Sequence, residues 1–110
     1  KQLPILLFFH TPIYTPELYR EVTKGNPTVP ASAIGVPLEL MQEYNDHRFR
    51  QQVTTPQTQK FLDYLYHLDL VKAIFAGHLH FSHESALSNG LMQYVTGAQY
   101  QNEARIIEIL

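Results

Sequence analysis

Two apolar runs in this chain each end in histidine. Ile5 to Phe9 lead directly into His10, and Val71 to Ala76 lead through Gly77 into His78. The continuous rather than alternating apolarity of Ile5 to Phe9 suggests a strand buried on both faces, as in parallel sheets, and Val71 to Ala76, interrupted by Lys72, reads as a second strand. Parallel neighbours need a crossover between them, usually helical. The intervening sequence supplies one. Thr15-Pro16-Glu17 reads as a helix start, with Thr as cap and Pro at the first helical position. Leu18, Tyr19 and Val22 fall on one side of that helix, and Gly25 is its expected terminator. Thr55-Pro56 opens a second helix. In it Phe61, Leu62, Leu65 and Leu68 recur at helical spacing and are expected to face the core, with Tyr64 and Tyr66 on the flanks. The order is strand–helix–helix–strand.

The connection between these helices is long. Residues 25 to 37 read as a loop, Leu38 to Tyr44 as a short helix, and Asn45 to Gln52 as a polar stretch of mixed charge. Residues 24–54 therefore read as an inserted region, and long connections in compact domains often carry function. Beyond the second apolar strand, Asn89-Gly90 separates "ESALS" from "LMQYVTG", a strong hairpin signal. "ARIIEIL" (residues 104–110) reads as a last strand, so the chain is expected to end in antiparallel strands.

Composition narrows the functional classes. The 110 residues fit one small domain or part of a larger one, with a formal net charge of −2. No basic surplus points to nucleic acid. The apolar runs fall far short of the roughly 20 residues that span a bilayer, and no basic amphipathic tract suggests a membrane surface. There is no cysteine, which excludes disulfides and thiolate metal sites. Gly-rich phosphate loops, a G-x-S-x-G elbow and thiol nucleophiles are all missing.

The histidines remain. His78 and His80 lie two apart, beside a glycine that lets backbone approach closely. In an extended strand they would share a face. Two solvated imidazoles in a turn are the plain alternative. His10 changes the balance, because it ends an apolar strand just as His78 does. Ligands in open α/β sheets bind outside the carboxyl ends of strands. His83, flanked by Ser82 and Glu84, reads as a solvated bystander. His67 is explained by the helix C-terminus. His47, Arg48 and Arg50 could border an anionic substrate pocket, since guanidinium suits phosphate, though a surface charge cluster explains them as simply.

"FFHTP", about seventy residues of connection, "IFAGHLH" and "LMQYVTGAQY…ARIIEI" together resemble the C-terminal half of a calcineurin-like metallophosphoesterase. Gly77-His78-Leu79-His80 matches that family's closing G-H-x-H motif, and His10 with Pro12 its preceding histidine motif. The resemblance implies half of a four-layer α/β/β/α sandwich spanning residues 1–110. It implies that His10 and His78 bind one divalent metal and His80 a second, with Mn, Fe, Zn or Ni as candidates. It also implies hydrolysis of phosphate mono- or diesters by a hydroxide activated between two metals.

The family's earlier motifs, Asp-x-His, Gly-Asp-x-x-Asp and Gly-Asn-His, do not occur. The chain has only three aspartates, Asp46, Asp63 and Asp69, and none stands in such a motif. Three neutral imidazoles cannot balance two divalent ions at close range. The expectation is thus part of a longer, cytoplasmic enzyme, inactive when isolated. Its partners would be a phosphoester substrate and the missing N-terminal half, and its exposed edges would invite homo-oligomers. Two alternatives stay open: a non-catalytic α/β interaction module, and a single-metal histidine site with a structural role.

Overall fold

The computed structural model describes residues 2–25, 33–41 and 54–110. They form an α/β fold with one mixed four-stranded sheet and two α-helices. In chain order the elements are β1 (Ile5–Phe9), α1 (Pro16–Gly25), α2 (Pro56–Tyr66), β2 (Val71–Ala76), β3 (His83–Ala86) and β4 (Met92–Val95). The sheet order is β1-β2-β4-β3. β1, β2 and β4 run parallel, and β3 returns antiparallel to β4. The strand–helix–helix–strand reading and the closing hairpin are both present. None of the helices among the described residues is long and apolar enough to cross a membrane.

Each helix begins where its cap directs. The Thr15 hydroxyl accepts from the Leu18 amide at 3.1 Å. Thr55 accepts from the Thr58 amide at 3.2 Å, and the Thr58 hydroxyl accepts in return from the Thr55 amide at 3.3 Å. These bonds satisfy amides that have no partner inside a first turn. At the other end of α2, His67 donates from Nδ1 to the Asp63 carbonyl at 2.6 Å. A histidine is well placed there, against the negative end of the helix.

One face of the sheet carries the core. Leu62 and Leu65 of α2 pack with Val71 and Ile74 of β2, joined by Ile13 and Leu87, and Ile5, Leu7 and Phe9 close around them. Phe61, expected in this core, is instead 41% exposed. It stands at the margin of the packed stripe, where its ring meets Phe9 edge-on at 6.2 Å. Leu68 lies beyond the helix end and is half-buried against the same core.

The opposite face of β1, β2 and β4 carries a row of aromatic rings. Phe8, Phe75 and Tyr94 are lateral partners in the sheet register. Their rings stack at 5.1 Å and 5.4 Å, and the Arg105 guanidinium lies 5.1 Å from the centre of the Tyr94 ring. Phe8 is 65% exposed.

Two expectations for the rest of the chain are corrected. Residues 104–110 form no strand. Their isoleucines express strand propensity, but no strand among the described residues accepts their backbone. Arg105 pins this segment instead, donating from Nε to the Thr96 hydroxyl at 3.0 Å, from Nη2 to the Val95 carbonyl at 3.3 Å and from Nη1 to Glu84 at 3.3 Å. Within the connection 24–54, only Leu38–Met41 of the expected short helix is described, as a single 3-10 turn. The stretch just before it is packed: Ile34 bridges in parallel to Ile13, and Val36 is buried. In the hairpin, Gly90 takes a φ of +84°, as a tight turn requires, and the Asn89 side chain accepts from the Leu91 amide at 3.0 Å.

Candidate metal centre

β1 and β2 are parallel neighbours, so their carboxyl ends lie side by side. His10 follows the last residue of β1, and Gly77-His78 follow the last of β2. The Gly77 amide donates to the His10 carbonyl at 3.1 Å. Above this joint the His78 Nδ1 and His10 Nε2 atoms stand 3.2 Å apart, with the rings inclined at 69°. One nitrogen donates to the other as drawn. With metal–imidazole bonds near 2.0–2.1 Å, two nitrogens on one ion lie about 2.8–3.4 Å apart for angles between 90° and tetrahedral. The pair therefore has the spacing of two adjacent ligands of a single ion.

The backbone here is unusual. His78 has a φ of +69° and His80 a φ of +60°. Side chains rarely adopt this left-handed region, although histidine tolerates it better than most. Strained residues of this kind cluster where function over-determines the geometry. The close backbone approach expected at Gly77 is not found: a Cβ built on it would meet the His10 carbonyl at an ordinary 3.9 Å. His78 and His80 do not continue an extended strand, because both lie in the bend after β2.

His80 goes elsewhere than the pair. Its Nδ1 lies 2.8 Å from the Tyr100 hydroxyl, and the two rings are nearly perpendicular. Among the described residues, no three His, Cys, Asp or Glu side chains converge as a set for one metal ion. The three histidines form a pair and a separate histidine–tyrosine contact. The pair fits two positions on one ion, and the remaining positions need other donors.

His83, expected to be solvated, is half-buried. Its ring meets Phe81 edge-on at 6.3 Å. Its Nε2 and the Ser85 hydroxyl, two residues along β3, are buried with no hydrogen-bond partner among the described residues. His47, Arg48, Arg50 and Asp46 lie outside the described residues. Asp63 and Asp69 sit in and after α2, away from the strand ends.

What holds His10 in place was not legible beforehand. Three residues on, Ile13 is clamped by the side-chain amide of Gln93, which is wholly buried in β4. The Gln93 Oε1 accepts from the Ile13 amide at 2.7 Å, and Nε2 donates to the Ile13 carbonyl at 2.8 Å. From the other side, Ile34 donates to the Pro12 carbonyl at 2.7 Å and accepts from the Tyr14 amide at 2.8 Å. The segment after His10 is therefore gripped from both sides. Next to His10, a cavity of about 490 Å³ runs along the aromatic face, bounded by Phe8, Phe75, Thr96, Arg105 and Ile107. Polar-into-apolar substitutions such as Gln93 within "LMQYV" are the only sequence signal that such a clamp leaves.

Comparison with protein-family models, with curated proteins and with solved structures yields no significant match. The class of the chain therefore rests on its own architecture: a mixed α/β sheet with paired imidazoles at adjoining parallel strand ends.

Proposed function

We propose that this chain is the C-terminal portion of a metal-dependent phosphoesterase acting on phosphate mono- or diesters. The observation that carries the reading is the 3.2 Å approach of His10 to His78 across the ends of two parallel strands. His10 and His78 would hold one divalent ion, and His80, on the next turn residue but one, would serve a second. Such ions, when bound, supply electrostatic clamping of phosphoryl oxygens and acidify water. The chain's own part is to fix imidazole positions with strained backbone and a clamped β1 exit. The left-handed φ values at His78 and His80 support a site over a casual surface turn.

The reading also says what is missing. Neutral imidazoles bring no negative charge, and two divalent ions at close range need carboxylates to offset their repulsion. In this proposal the carboxylates come from another segment, the N-terminal half of the domain. It would seat on the Phe8 side of the sheet, where Phe8 is 65% exposed and the cavity beside His10 lies between the strands and Arg105 and Ile107.

Hydrolysis of a generic phosphodiester with added Mn²⁺ tests the proposal, measured for this chain alone and for the complete gene product. The expected result is background for the chain alone and metal-dependent turnover for the complete product, lost on His78→Ala. Robust turnover by the chain alone would sink the half-site claim. Turnover of the complete product that survives His78→Ala would sink the phosphoesterase claim.

A further inference from the structure

We propose that Tyr100 is a positioning residue for His80, its phenol oxygen accepting the Nδ1–H and so leaving Nε2 unprotonated and able to ligate a metal. This rests on the reading of His80 as a metal ligand given above. A neutral imidazole has one protonated nitrogen, and the partner of one nitrogen decides what the other can do. An imidazole that ligates a metal through one nitrogen donates its other N–H to a second group, which fixes both tautomer and ring angle. The only polar contact seen for His80 among the described residues is the one from Nδ1 to the Tyr100 hydroxyl, at 2.8 Å.

Both partners are held by local structure rather than by chance proximity. Tyr100 sits in a 3-10 turn, Gln99–Gln101, that ends at Asn102 with a left-handed φ of +58°. Gln101 and Asn102 donate from their amides to Ala98 and Gln99 at 2.9 Å each, and the Gln101 side chain accepts from the Ala98 amide at 3.0 Å. The turn is tied to the histidine loop by Ser82. Its hydroxyl donates to Glu103 at 2.8 Å and accepts from the Gly97 amide at 3.3 Å. Ser82 thus ties the loop after β2 to the loop after β4 at Gly97 and Glu103, on either side of Tyr100. Tyr100 is 74% exposed, so packing does not explain a tyrosine at this position. Its hydroxyl contact does.

The alternative arrangement has the phenol donating to Nδ1. That would put the proton on Nε2 and make His80 a donor rather than a ligand. Two-bond ¹H–¹⁵N correlation spectra of the ¹⁵N-labelled chain distinguish the two directly. They are recorded at mildly alkaline pH, where ordinary imidazole is neutral, with His80 assigned by comparison with His80→Gln. The expected result is a His80 protonated at Nδ1 in the wild type, shifting to a mixture of tautomers in Tyr100→Phe. A wild-type His80 protonated at Nε2 overturns the proposal, as does a tautomer unchanged by Tyr100→Phe. The wild-type spectrum decides the matter even if the variant fails to fold. The hydrolysis experiment on His78→Ala does not depend on this tautomer, so failure of the phosphoesterase reading shows separately.

Discussion

Gln93→Met removes the clamp on the β1 exit while keeping a side chain of similar volume. The wild-type amide makes two hydrogen bonds, of 2.7 Å and 2.8 Å, to the backbone of a residue that is itself wholly buried. Methionine offers neither donor nor acceptor, so the Ile13 amide and carbonyl lose their partners. A buried polar group left unsatisfied costs about 1–3 kcal/mol. Two such groups, with some relaxation, give roughly 2–4 kcal/mol of lost stability. For a domain near this size that corresponds to a drop in Tm of roughly 10–20 °C. Urea unfolding followed by far-UV circular dichroism measures it, with an unchanged slope showing that the unfolded state is the same. Gln93→Glu sharpens the test. An ionised glutamate can accept from the Ile13 amide but cannot donate to its carbonyl, so its stability should recover as falling pH protonates the buried carboxyl. A loss below about 1 kcal/mol for Gln93→Met would refute the reasoning, because buried backbone groups cannot be orphaned that cheaply.

At His80, glycine should be more stable than alanine by about 0.5–1 kcal/mol, the reverse of the usual order, because only glycine takes a φ of +60° without strain; thermal melts of His80→Ala and His80→Gly check the sign. Burial, with Asp63 adding to it, holds the Tyr66 phenol above its ordinary value of 10.0, and burial likewise raises Tyr14, with Tyr19 and nearby carboxylates adding to it. The unfolded chain therefore loses these protons first, so the stability they contribute is intact below pH 10 and lost as pH rises through the folded values; Tyr66→Phe should flatten that alkaline loss in melts across the range. The chain alone should also self-associate through its β1 edge and the exposed Phe8, and sedimentation giving a clean monomer at high concentration contradicts this.

The elements were legible where local chemistry decides them. Thr15-Pro16 and Thr55-Pro56 start helices because their hydroxyls satisfy first-turn amides, and Asn89-Gly90 turns because glycine accepts a positive φ. The two histidine-ended strands were legible from their apolar runs, but the expected burial of β1 on both faces is not met, since Phe8 is 65% exposed. Failures came where the answer depends on a distant partner. "ARIIEIL" has strand propensity but no strand to pair with in this sheet. Phe61 has core spacing but falls at the margin of the stripe that Leu62 and Leu65 bury. At the site, spacing singled out His10, His78 and His80, and the structure brings the first two together. It could not show that the third turns to Tyr100, twenty residues along. Nor could it show that Gln93 grips Ile13 across eighty residues. Nor did it mark the left-handed backbone, which falls on His78 and His80 rather than on a glycine.

The central claim is that His10 and His78 act as one ligand pair. Imidazole ¹H–¹⁵N spectra during titration with Zn²⁺, a diamagnetic ion that accepts imidazole ligands, address it most directly. The account predicts weak binding in which the His10 and His78 rings respond together, along a single saturation curve, while His67 and His83 stay unchanged. A response of His78 without His10, or of neither, would contradict it.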